Sequence, residues 1–190
     1  MKEAEASILC INETHADKMN VKNNKVLETS RRRSFNHKEG EYCSVVTSSS
    51  MAPITGYTKP GGSMMGIIGP LVSRVRRKID DKYGRWCGYV LLGKDNRKIL
   101  VITAYNVPQE TSAGDDALHA QQTSLYLLDE EVDQNLRKLF IRDLHTLVTT
   151  ATAEDQDIIL MGDFNKVCGD DPKNDGKNCI SRKTDGCTCP

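Results

Sequence analysis

The chain has 190 residues, with 26 Lys and Arg against 26 Asp and Glu, enough for one domain with a real core and too few for two. Neutrality excludes a protein that draws in polyanions with its whole surface, so any phosphate-binding face has to be local. The opening Met1-Lys2-Glu3-Ala4-Glu5 lacks an apolar leader core and no apolar run reaches spanning length, which points to an intracellular chain with no membrane partner.

Charge is unevenly placed. Lys18, Lys22, Lys25, Arg31, Arg32, Arg33 and Lys38 face only Glu28 and Glu39, and Leu71 to Arg85 holds six basic residues against Asp80 and Asp81. Gln109 to Asn135 has seven acids and no Lys or Arg. Such a molecule could meet a phosphate backbone from one side only. Taken singly, each run better suits a solvated, mixed-sign surface. The seven cysteines are an odd number, expected as reduced thiols. Cys179, Cys187 and Cys189 have spacing that makes a poor zinc template.

In chain order, Glu3 to Ala6 reads as the last turn of a helix and Ser7 to Ile11 as a strand, with Asn12-Glu13-Thr14-His15 at its carboxyl end. Residues 18–40 are polar and basic, a loop or insertion. Tyr42 to Thr47 is a strand, Ser48 to Pro60 a loop, and Gly61 to Ile68 a strand whose glycines permit close approach. Trp86 to Leu92 and Lys98 to Thr103 flank the turn-forming Gly93-Lys94-Asp95-Asn96-Arg97, a hairpin. The second of these strands runs into Ala104-Tyr105-Asn106-Val107-Pro108. Asp115 or Asp116 can cap a helix running toward Glu131. Leu136, Leu139, Phe140, Leu144, Leu147, Val148 and Ala151 recur at steps of three and four, the core face of an amphipathic helix.

That helix leads to Asp157-Ile158-Ile159-Leu160-Met161-Gly162-Asp163-Phe164-Asn165. The apolar quartet has the length and β-branched content of a buried central strand. In extended backbone, Asp163 and Asn165 project to the same side, roughly 6.5–7 Å apart, from the strand end where open α/β sheets place ligands. By itself the nonapeptide suits a strand ending in a polar turn equally well. After Asn165 the composition turns to Gly, Asp, Lys and Asn, leaving a domain over 1–172 and a polar tail over 173–190. Strand hairpins, then a long helix and a last strand, predict a mixed α/β sandwich with helix outside a sheet.

Glu13, Tyr105, Asp163 and Asn165 all fall just beyond apolar strands. Hard oxygen ligands suit Mg²⁺, which takes one or two carboxylates plus substrate phosphate. A carboxylate and an amide two residues apart can divide the work of phosphodiester hydrolysis, one acting on water and one on a phosphate oxygen. A tyrosine hydroxyl can donate to developing charge.

Three pieces, Ile8-Leu9-Cys10-Ile11-Asn12-Glu13-Thr14-His15, Ile102-Thr103-Ala104-Tyr105 and Met161-Gly162-Asp163-Phe164-Asn165, occur in an order and spacing that resemble the endonuclease/exonuclease/phosphatase superfamily. Asn12 stands where that family's motif has Gln. Pro60-Gly61-Gly62-Ser63-Met64 and Gly84-Arg85-Trp86 look most like the endonuclease domains of non-LTR-type retroelements. The resemblance implies a four-layer α/β sandwich, incomplete at both edges, and a metal-dependent DNA endonuclease once fused to a reverse transcriptase. It implies Glu13 as the Mg²⁺ (or Mn²⁺) ligand, Tyr105 on the scissile phosphate, Asp163 on the nucleophilic water and Asn165 on phosphate. Asn106, Gln109 and Arg85 are candidate DNA contacts, and His15 is read as structural. The family's closing Asp-His pair has no counterpart, since no histidine follows Asn165, and the expected activity is weak or absent. The alternatives are a non-catalytic nucleic-acid-binding remnant and a phosphatase acting on a small phosphoester.

Overall fold

The computed structural model describes residues 7–17, 43–53, 59–107, 118–130 and 135–165. These residues form a mixed α/β arrangement of two sheets with helix on one outer face. Strands β1 (Ile8–Asn12), β2 (Cys43–Ser48) and β3 (Ser63–Ile68) make an antiparallel sheet in the order β1-β3-β2. Strands β4 (Val75–Asp80), β5 (Trp86–Leu92), β6 (Lys98–Tyr105) and β7 (Gln156–Asp163) make the second, in the order β4-β5-β6-β7. Helices α1 (Leu118–Leu128) and α2 (Leu136–Ala153) lie between β6 and β7 in sequence. The expected helix over Glu3 to Ala6, the 18–40 insertion, the Asp115/Asp116 cap, the three C-terminal cysteines and the 173–190 tail fall outside the described residues.

The hairpin of β5 and β6 forms the middle of the larger sheet, with Trp86 opposite Ala104 and Leu92 opposite Lys98. Its residues alternate between two cores, as the period of two requires. Leu100, Ile102 and Ala104 pack with Trp86 and Val90 under Phe140, Leu144 and Ala151 of α2. Val101 faces the other way with Cys87, Tyr89 and Leu91, against Val46, Met65 and Ile67 of the smaller sheet. Both faces are covered, so Tyr89 and Ile102 are wholly buried. Asn135 caps α2, its Oδ1 accepting from the Lys138 N–H at 3.1 Å, and satisfies one of the helix's unpaired donors. The long crossover through the helices lets β7 run parallel to β6, as parallel pairing requires.

Two expectations are corrected. Leu71 to Arg85, read only as a basic run, contains a strand: β4 pairs with β5 and shows Arg76, Arg77 and Lys78 to solvent. Its charges suit a sheet edge, and they mask the alternation that would have revealed it. The Ile158–Met161 quartet is not a buried central strand. Among the described residues β7 closes the sheet, with Ile159 48% and Leu160 39% exposed. A buried strand and an uncovered apolar edge have the same local sequence pattern.

Candidate active site

Three strand ends meet at one end of the sandwich. Glu13 follows β1 with φ of 54°. Its turn is held by the Thr14 N–H donating to the Gly62 carbonyl (3.2 Å) and the His15 N–H to that of Gly61 (2.9 Å). A Cβ on Gly62 would lie 2.7 Å from Thr14 Oγ1, and its φ is +87°, so glycine is what lets this turn close against the chain entering β3. From inside the sandwich, Asn12 Nδ2 donates to the Ala104 carbonyl (3.3 Å) and the Thr103 hydroxyl donates to Asn12 Oδ1 (3.2 Å). Asn12 thereby fastens the end of β1 to the end of β6 across the two sheets. Glu13 and Tyr105 become neighbours, and the Tyr105 hydroxyl donates to Glu13 Oε1.

Tyr105 is buried. Burial first, then its hydrogen bond to Glu13 and that carboxylate's charge, push the phenol above its ordinary range. Asp163 adds charge in the same sense, while the Asn165 amide opposes the rise. The hydroxyl therefore stays protonated, a neutral donor with two carboxylates and an amide around it.

Asp163 and Asn165 converge differently from the expectation. Asn165 is not extended: its φ is 45°, and its N–H donates to Asp163 Oδ1 at 2.9 Å. The pair forms a side-chain-to-backbone turn, the local bonding that Asp and Asn favour over continued strand. Asn165 Nδ2 donates to the Asn106 carbonyl at 2.5 Å, and Arg137 Nη2 to the Asn165 carbonyl at 2.9 Å. The turn is thus pinned to the end of β6 and to the first turn of α2.

Of the looser candidates, Asn106 is a scaffold residue. It is buried, its N–H donates to the Asp163 carbonyl (2.9 Å) and its Nδ2 to that of Phe164 (3.2 Å). Arg85, expected as a DNA contact, is buried, its side chain 2% exposed and its donors engaged within the protein. Nε and Nη2 grip both Asp81 oxygens at 2.8 and 3.0 Å, and Nη1 reaches Asp143 Oδ2 at 2.9 Å and the Tyr126 hydroxyl. Its guanidinium also lies 4.1 Å from the Trp86 ring centroid and 4.4 Å from that of Tyr83. Gln109 falls outside the described residues. His15 is exposed beside Glu13, with its backbone bonded to Gly61.

The expected basic face on 71–85 is partly taken up by local pairing. Arg77 pairs with Glu154 (3.7 Å), Lys82 with Asp129 (2.6 Å), Lys78 donates to the Val45 carbonyl and Arg74 to that of Leu92. Sequence reasoning missed Arg137 and the clamping role of Asn12. Arg137 has no local signal, whereas Asn12 is the polar member of an inward-facing set with Ile8 and Cys10.

Among the described residues no three His, Cys, Asp or Glu side chains gather as a metal cage. Mg²⁺ needs no such cage, since one or two carboxylates with water and phosphate suffice. Glu13 and Asp163 are both exposed, and carboxylate oxygens are the hard donors that Mg²⁺ takes. No protein-family model matches the sequence, and no curated protein matches it.

Proposed function

We propose that the chain carries a Mg²⁺-dependent phosphodiester-hydrolysing site that acts on DNA as an endonuclease. The fold would be part of the four-layer sandwich of the endonuclease/exonuclease/phosphatase superfamily. The observation that carries this reading is the convergence of Glu13, Asp163 and Asn165 on one neutral phenol. Ordinary strand ends give no reason for four such groups, drawn from residues 92 positions apart in the Tyr105–Glu13 pair, to gather at one end of the sandwich.

In this reading the Asp163 carboxylate orients the attacking water and takes its proton. The Asn165 amide holds a non-bridging phosphate oxygen, and the Tyr105 hydroxyl donates to the charge that develops on phosphorus-bound oxygen. A Mg²⁺ or Mn²⁺ ion held by Glu13 would supply positive charge against the phosphate.

The test is nicking of supercoiled plasmid, with and without Mg²⁺, by wild type and Asp163→Ala. Metal-dependent nicking that the substitution abolishes is expected. A folded wild type that binds DNA in a salt-dependent way but never nicks it would replace the hydrolase reading with a binding one. Release of phosphate from small phosphoesters without DNA affinity would favour a phosphatase.

A further inference from the structure

The groups gathered at the strand ends are acceptors or donors already engaged. Glu13 and Asp163 are exposed carboxylates, and the Tyr105 hydroxyl donates to Glu13. The Asn165 N–H donates to Asp163, and its Nδ2 donates to the Asn106 carbonyl. A phosphodiester that approaches two carboxylates meets like charge. One divalent ion balances the carboxylates and leaves the charge of the phosphate itself without a partner.

The cation that the fold sets against the Asp163–Asn165 turn is Arg137. Arg77, Lys82, Arg85, Arg97 and Arg142 each have a carboxylate partner. Arg137 instead bonds two carbonyls, its Nη2 donating to that of Asn165 at 2.9 Å and that of Phe164 at 3.4 Å. Carbonyls hold a guanidinium in place without cancelling its charge, and these bonds leave Nε and Nη1 with their hydrogens. Arg137 lies in the first turn of α2, which has no acidic side chain and is the helix end where a cation is disfavoured. With Asn106 and Phe164 it borders an open cleft of about 420 Å³, so packed protein does not enclose it. We infer that Arg137 is a substrate-binding residue, whose Nε and Nη1 donate to a backbone phosphate of the DNA strand lying across Asp163 and Asn165. A phosphate supplies the counter-charge, and the guanidinium fork matches its oxygens. This inference rests on the DNA-hydrolase reading and adds to it the group that holds the strand.

The experiment measures binding of a short DNA duplex to the full chain by fluorescence anisotropy across a range of KCl, with Ca²⁺ in place of Mg²⁺. Arg137→Gln is expected to weaken binding at least about tenfold. It should also make the plot of log affinity against log salt shallower by about one, as the loss of one phosphate contact requires. A residue that only clamps the 164–165 turn would change the melting temperature and leave that slope alone. Arg97→Gln, at the opposite end of β6 from Tyr105, should keep the wild-type slope. In wild type, the duplex should shield Arg137 from phenylglyoxal, read by peptide mass spectrometry, and where Arg137→Gln fails to fold this shielding decides. An unchanged slope in the folded variant, an equal loss in Arg97→Gln, or Arg137 modified as fast with DNA as without would each overturn the inference. Wild type that nicks plasmid while Arg137→Gln keeps its slope would sink this inference alone. Wild type that never nicks but binds DNA through Arg137 would sink the hydrolase reading alone, and a folded wild type without DNA affinity would sink both.

Discussion

Gly162 lies so close to Ala104 on the neighbouring strand that a Cβ on it would stand 1.8 Å from the Ala104 carbonyl oxygen, and its φ is +142°. Both the contact and the conformation exclude a side chain. The glycine lets β7 stay in register with β6 up to the pair Tyr105–Asp163, which places the carboxylate beside the phenol. Gly162→Ala is expected to cost roughly 2–4 kcal/mol, because the new methyl can be accommodated only by parting the two strands. Urea unfolding of the variant against wild type measures it. A loss below about 1 kcal/mol would mean that the strands separate easily and that the close contact does not hold the site.

Tyr105→Phe removes the donor and keeps the ring. Glu13 is exposed and regains water, so stability should fall only by about 0.5–1.5 kcal/mol. Any nicking rate should fall far more, by about 10²–10³ as when one donor to developing charge is lost. Single-turnover nicking beside thermal unfolding separates the two effects. Equal small losses in both would assign Tyr105 to structure alone.

The buried guanidinium of Arg85 is held by Asp81 and Asp143 and covered by Tyr83, Trp86 and Tyr126. Arg85→Met leaves the buried Asp81 carboxylate without its cation, while Asp143 keeps Arg142, and should destabilise by about 3–5 kcal/mol. Arg85→Lys keeps the charge but cannot grip both Asp81 oxygens while bonding Asp143, so it should also be clearly destabilised. DNA affinity of the folded Lys variant should match wild type. An unchanged melting temperature with weakened DNA binding would restore Arg85 to the surface role that its sequence context suggested.

Tyr83, Tyr105 and Tyr126 all have phenols raised above their ordinary range, by burial first. For Tyr105 the next causes are the hydrogen bond to Glu13 and its charge, and for Tyr83 the bond to Asp129 and its charge. A raised folded value means that the fold favours the protonated form. Its contribution is whole below the unfolded phenol pKa, near pH 10, and is lost as pH rises from there through the folded values. Chemical-denaturation stability should therefore be insensitive to these groups around neutrality and fall steeply above about pH 10. Tyr105→Phe should make that fall shallower. An unaltered slope in the variant would mean that Tyr105 titrates as an exposed phenol does.

Much of the molecule is written in local pattern. Short apolar runs bounded by turn residues marked β1, β2, β3, β5 and β6, and the three-and-four spacing from Leu136 to Ala151 marked α2, because each element must bury apolar side chains whatever its neighbours are. The polar residues beyond the strands were visible for the same reason, as breaks in apolar runs. β4 was hidden because a charged edge strand has only one residue in two or three to bury, here Val75 and Ile79.

What the sequence determined by itself was which side chains turn inward and where each apolar run stops, since these follow from backbone geometry over a few residues. Only the tertiary structure decided the rest. It set Glu13 on Tyr105 through the Asn12 clamp, folded Asn165 back onto Asp163, withdrew Asn106 and Arg85 into the scaffold, and left β7 at an edge. Each of these depends on which strands lie side by side, and pairing is set by competition among distant segments for the same backbone partners, a choice no local run of residues contains.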